Sequence, residues 1–214
     1  MLRFFLIEAD DPLHFDIDTL EVILITEFKE YHGVNVSINA FLDKTKVPVS
    51  IDIGFGDVIY PDRVMIDFPV LLSEDAPKIY AYSLYSSIAE KFEAIVSLGY
   101  DNSRFKDFYD IYVNSGKYDF DGQTLVEAFK ETFDHRGTSF DNIVAFNKGY
   151  AEDEIRLSRW RSFAKKKKIS LDVNLADTIR AIKEFVLPVI TAIENDEKLD
   201  LDWNSRERKW SKSN

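Results

Sequence analysis

The chain has 214 residues, 45% of them hydrophobic and 30% charged, which is the composition of a folded globular protein with a sizeable core. It contains no cysteine, which excludes disulfides, thiolate nucleophiles and zinc–thiolate sites. The net charge is −11, and residues 1–75 hold fifteen acids against five bases while the rest is close to neutral. Such a break in charge marks a change of module, and the acidic front repels nucleic acid. The opening Met1–Glu8 is too short and too soon acidic for a signal peptide, and charge interrupts every apolar run before membrane-spanning length. A cytoplasmic location without membrane contact is expected.

The front half reads as strands. Val34–Ile38 and Val47–Ile53 alternate apolar and polar residues, and Gly54-Phe55-Gly56-Asp57 ends the second with a turn. Pro48 lacks an N–H and belongs at a strand entry or a sheet edge. Pro69 makes Met65–Leu72 an edge strand or a connector. After Pro77 the period becomes helical. Ser83–Leu98 lines up Ile88, Phe92, Ile95 and Val96, with Gly99 as its stop. Ser103 is placed to cap a second helix to about Asn114, with Phe105, Phe108, Tyr109 and Tyr112 as its apolar face. Further helices are expected over Gln123–Phe133, Glu152–Lys168 and Asp172–Asn195, the last kinked at Pro188. The tail from Trp203 reads as polar and frayed. The fold class is α+β, a small mixed sheet over residues 1–80 followed by a helical domain over 81–205 and a polar tail over 206–214.

Several residues could carry chemistry. Asp52, at a strand end beside a glycine turn, is placed to bind a divalent cation, whereas Asp57 reads as a turn residue. Lys91 can reach a triphosphate as a mobile point charge, or pair with Glu90 or Glu93 on its own helix. Arg104 and Asp107 stand at i, i+3, and Lys106 and Asp110 at i, i+4, so both pairs can close within one helix among three aromatics. Asp16-Ile17-Asp18 imitates a two-metal pair, but no phosphate-holding turn precedes it, and it reads as an acidic surface loop. His14, His32 and His135 are too scattered to form a ligand set. The basic group Arg156, Arg159, Arg161 and Lys165–Lys168 reads as a solvated helix end or a grip on an RNA backbone.

Taken together, Glu30–Val34, Val49–Asp57, Ala89–Ala94 and Ser103–Ile111 resemble, in order and spacing, the AbiEii/AbiGii toxin family of nucleotidyltransferases. The resemblance runs from about Asp10 to Thr138 and more weakly through the later helices. It implies a partial nucleotidyltransferase sheet of the DNA polymerase β type, followed by a helical domain. It also implies the toxin half of a phage-defence module paired with an antitoxin, moving a nucleotide from an NTP with Mg to an acceptor such as tRNA. By resemblance Asp52, Lys91 and Asp107 are catalytic, Asp52 is the metal ligand, and Lys91, Arg104, Lys106 and Asp110 bind the nucleotide. The family's glycine-rich helix start and its D-x-D strand have no counterpart ahead of residue 10. The resemblance therefore implies a chain without the family's first hundred or so residues (about a half-domain), inactive alone and exposing an apolar edge that favours self-association. A non-catalytic module binding nucleotide, RNA or antitoxin, and an interaction module of unrelated role, remain the other readings.

Overall fold

A computed structural model describes residues 12–25, 33–71, 75–170 and 173–212. The segment Glu30-Tyr31-His32 of the first matched motif lies outside the described residues. The chain divides into two compact units, Met1–Asp57 and Val58–Asn214.

The first unit is an antiparallel sheet of β1 (Leu13–Ile25), β2 (Gly33–Leu42) and β3 (Thr45–Gly54), with β2 in the centre. The two alternating segments fall in β2 and β3. Val34, Val36 and Ile38 pair with Ile53, Ile51 and Val49, and Val36 and Ile38 form the buried centre of this face. Asn35, Ser37, Ser50 and Asp52 take the intervening positions, as the period of two requires. Pro48 lies on β3, an edge strand, where its missing N–H costs no ladder bond.

Asp16-Ile17-Asp18 is not a loop but part of β1. The register of β1 against β2 shifts between Asp16 and Glu21, and Thr19 closes the irregularity by donating its hydroxyl to the Asp16 carbonyl at 2.7 Å and accepting from the Asn39 amide at 2.9 Å. A bulge breaks strict alternation, so the sequence pattern hides the strand.

The second unit opens with a hairpin of β4 (Val64–Asp67) and β5 (Lys78–Ala81). It continues through α1 (Leu84–Leu98), α2 (Phe105–Ser115), α3 (Gly122–Arg136), α4 (Glu154–Lys167) and α5 (Leu175–Glu194). Met65 does lie on a strand, and it pairs with Tyr80 of β5. Ser83 caps α1 by accepting from the Ser86 amide, and Gly99 ends it at φ 51°. Ser103 does not cap α2. The Asn102 side chain instead accepts from the Arg104 amide at 2.7 Å, closing the turn that leads into the helix. α5 continues through Pro188.

The core of this unit is aromatic. Ile88, Phe92, Ile95 and Val96 of α1 are buried as one stripe, and Phe92 stacks on Phe129 of α3 at 5.5 Å. α1 packs on α2 and α3, and α5 packs on the same two helices.

Over its described residues, 203–212, the tail is not frayed. β7 (Leu201–Asn204) and β8 (Lys209–Lys212) form a hairpin that joins the two-residue strand β6 (Phe120–Asp121) in a second sheet. Trp203 is 2% exposed, and its indole N–H donates to the Ser115 carbonyl at the end of α2 at 2.6 Å. Trp210 stacks on Phe185 of α5 at 5.9 Å and donates to that residue's carbonyl. Two tryptophans thus bury a segment whose other residues are mostly polar.

Candidate functional site

The four-residue spacing of α2 sets Lys106 and Asp110 on one side of the helix, with Asp107 one turn from Arg104. Both expected pairs form. Arg104 Nε donates to Asp107 Oδ2 at 2.7 Å, and Lys106 Nζ lies 2.8 Å from Asp110 Oδ2. The partner of Lys91 differs from the same-helix glutamates considered from the sequence. Because α1 packs on α2, Lys91 Nζ crosses to Asp110 Oδ2 at 2.8 Å and Asp107 Oδ1 at 3.5 Å. Three cations therefore share two carboxylates, and the cluster keeps one positive charge.

Burial is uneven across the cluster. The Asp107 side chain is 3% exposed, while Arg104 and Lys106 are 56% and 62% exposed. A buried carboxylate held by two cations is a fixed base for the cluster, and the outer cations can turn toward solvent or a ligand. The carboxyl of Asp110 is pulled two ways. Burial raises its pKa, but hydrogen bonds from Lys106 and Lys91 and the charge of both lysines outweigh burial, so the pKa lies below the ordinary 3.8. A depressed folded pKa contributes stability that is present above the unfolded value and lost as pH falls through the folded one. We expect the melting-temperature difference between the wild type and Asp110→Asn to hold steady from about pH 7 to 5 and to shrink below about pH 4. Thermal unfolding followed across that range by circular dichroism checks it.

A second tie was not legible in the sequence. Glu93, 3% exposed, accepts from Arg136 Nη1 at 2.8 Å and from the Thr138 hydroxyl at 2.6 Å. It locks α1 to the end of α3 two residues from Lys91, and so fixes the helix from which Lys91 projects.

Asp52 belongs to the other unit. It lies exposed on the polar face of β3 and accepts from the Asn35 amide group at 2.6 Å. Asp57 follows the turn at Gly56, whose φ is 87°. Among the described residues, no three His, Cys, Asp or Glu side chains converge as a metal site. Asp52 alone is thus an incomplete donor set for Mg, which needs six oxygens (some of them water or substrate). His14 lies on β1 and His135 in the last turn of α3, while His32 lies outside the described residues. A depression of about 240 Å³ between α3 and the end of α5, lined by Gln123, Glu127, Lys130 and Glu197, includes none of the candidate residues.

The fold and this cluster define an α+β protein of two units, whose helical unit carries a charged and partly open helix–helix site. The chain belongs to the nucleotidyl transferase AbiEii toxin family of Type IV toxin–antitoxin systems, whose family model matches residues 6–209. Nucleotide transfer is the activity at family level, and a toxin–antitoxin system implies an antitoxin partner. No curated protein and no solved structure matches the chain. Among the described residues, no helix is long and apolar enough to cross a membrane.

Proposed function

We propose that this chain supplies the nucleotide-gripping part of a nucleotidyltransferase toxin, serving transfer from an NTP to an acceptor such as tRNA. The observation that carries the reading is the cluster of Lys91, Arg104 and Lys106 on Asp107 and Asp110. A triphosphate brings more negative charge than Asp110 and competes with it for Lys91 and Lys106. Arg104, fixed at one end by Asp107, offers its remaining N–H groups to a second phosphate oxygen. In this reading Lys91 and Asp107 serve the reaction as charge and as anchor, and Asp110 is the carboxylate that nucleotide displaces.

Asp52 is the carboxylate we assign to Mg, which when bound supplies charge neutralisation at the transferred phosphate. The described residues do not complete a site for the ion, so no step is routed through it, and we assign the chain binding rather than unaided transfer. An antitoxin partner, self-association, a role in phage defence and a cytoplasmic location belong to the same proposal. The exposed Val22, Ile23 and Leu24 on β1, an edge strand, support a partner or a second copy there.

The test is transfer of label from an α-labelled NTP to tRNA by the chain alone, with Mg. We expect no label above the protein-free control. Labelled tRNA whose formation is lost in both Asp52→Ala and Lys91→Ala would overturn the assignment of binding without unaided transfer and place a complete catalytic site in this chain.

A further inference from the structure

α4 carries Glu154 as its single acid, followed by Arg156, Arg159, Arg161 and Lys165–Lys167, in a chain that holds 38 acids against 27 bases. The inner side of the helix is fixed. Trp160 and Ala164 are buried, and Trp160 meets Phe105 edge-on at 5.9 Å and donates to the Val173 carbonyl. Arg156 also turns inward, stacking 3.8 Å over the Tyr150 ring and donating to the carbonyls of Tyr100 and Asn102. It is absorbed by the fold and leaves the basic group.

The other cations are not absorbed. With 3.6 residues per turn, Arg159 and Lys166 fall in one line, Arg161 and Lys165 in a neighbouring one, and Ser158 and Ser162 lie between them. All six are exposed, and none of the four cations makes an ion pair among the described residues. An acidic chain that has carboxylates to spare leaves this face bare.

We propose that the solvent face of α4 is an RNA-backbone surface, with Arg159, Arg161, Lys165 and Lys166 contacting consecutive phosphates. The choice of tRNA as occupant rests on the nucleotide-transfer reading, whose proposed acceptor is an RNA; the basic face itself stands on the charges of α4. Arg159 to Lys166 spans about 10 Å of helix, roughly three phosphate spacings and hence about four phosphates of one strand. The arginines can meet phosphate oxygens two at a time, and Ser158 adds a hydroxyl donor. A helix lying on a lipid surface needs a broad apolar face turned outward; α4 buries Trp160 and Ala164, and Ile155 is its one large apolar residue among the exposed.

The experiment is anisotropy of fluorescein-labelled tRNA with the full chain, over a series of KCl concentrations. Four contacts give a slope of log affinity on log salt of about −3. Arg159→Gln/Arg161→Gln/Lys165→Gln/Lys166→Gln should bind at least tenfold more weakly at low salt, with a slope near zero and the helical circular dichroism of wild type. The pair Lys165→Gln/Lys166→Gln should lose about half the slope. Unchanged affinity and slope in the fourfold variant overturn the proposal. So does displacement of tRNA by polyglutamate at equal charge, which marks an acidic protein as the partner. The NTP-induced rise in melting temperature, measured on the same samples, is expected to be untouched by the four substitutions. Its absence in wild type, with salt-dependent tRNA binding intact, sinks the nucleotide reading and leaves the α4 surface standing.

Discussion

Trp203→Ala should destabilise the helical unit by about 3–5 kcal/mol, the usual cost of removing a fully buried tryptophan. The indole fills the space between Phe185, which it meets at 4.9 Å, and Trp210, at 5.5 Å. Its N–H also satisfies the Ser115 carbonyl at the end of α2, which would be left without that donor. α2 carries Asp107 and Asp110, so loosening its end reaches the candidate site as well. With a whole-domain stability of about 5–15 kcal/mol, the variant should melt on the order of 10 °C below wild type. Thermal unfolding by circular dichroism measures the drop. A shift of one or two degrees would mean that the terminal hairpin is not docked as described. Trp210→Ala, which removes a half-buried ring, should cost less.

What the sequence discloses follows from how local each feature is. β2 and β3 are legible because β2 buries Val36 and Ile38 on one face and β3 sets its apolar residues opposite them, so period two survives in Val34–Ile38 and Val47–Ile53. β1 is hidden by its irregular register, which puts Asp16 and Asp18 in a strand that reads as an acidic loop. β7 and β8 are hidden because their burial depends on two tryptophans reaching Ser115 and Phe185, far away in the chain. α1 was legible from its apolar stripe and from Gly99, and α2 from its aromatic face.

The site divides in the same way. Arg104–Asp107 and Lys106–Asp110 are spacings within one helix, and both could be read directly. Lys91 to Asp110 depends on how α1 meets α2, and no spacing reveals it. The family resemblance brought Lys91 together with Asp107 before the geometry did. Glu93 to Arg136 joins residues forty-three apart, and no spacing names Arg136 as the partner. Its one clue is a glutamate directly beside Phe92 in an apolar stripe, a position that calls for a cation.

Whether the α1–α2 cluster holds a triphosphate decides the proposed function. Lys91→Ala removes the cation between both carboxylates and leaves Asp107 with Arg104 alone. Losing a charge-assisted hydrogen bond of about 1.5–3 kcal/mol weakens NTP binding by roughly 10- to 100-fold. Lys106→Ala tests the same claim without touching a buried group, because Lys106 is largely exposed and contacts Asp110 only. The most direct measurement is the melting temperature of the chain with and without NTP, in EDTA and in Mg. At a concentration one hundred times Kd, a bound nucleotide adds about 2.7 kcal/mol to apparent stability, a rise on the order of 5–10 °C. That rise is expected in wild type, a smaller one in Lys106→Ala, and in Lys91→Ala one cut to about half or less, the roughly 0.4–1.4 kcal/mol that a 10- to 100-fold weaker site retains. A wild-type melting temperature that NTP leaves unmoved, with and without Mg, would contradict the proposed function.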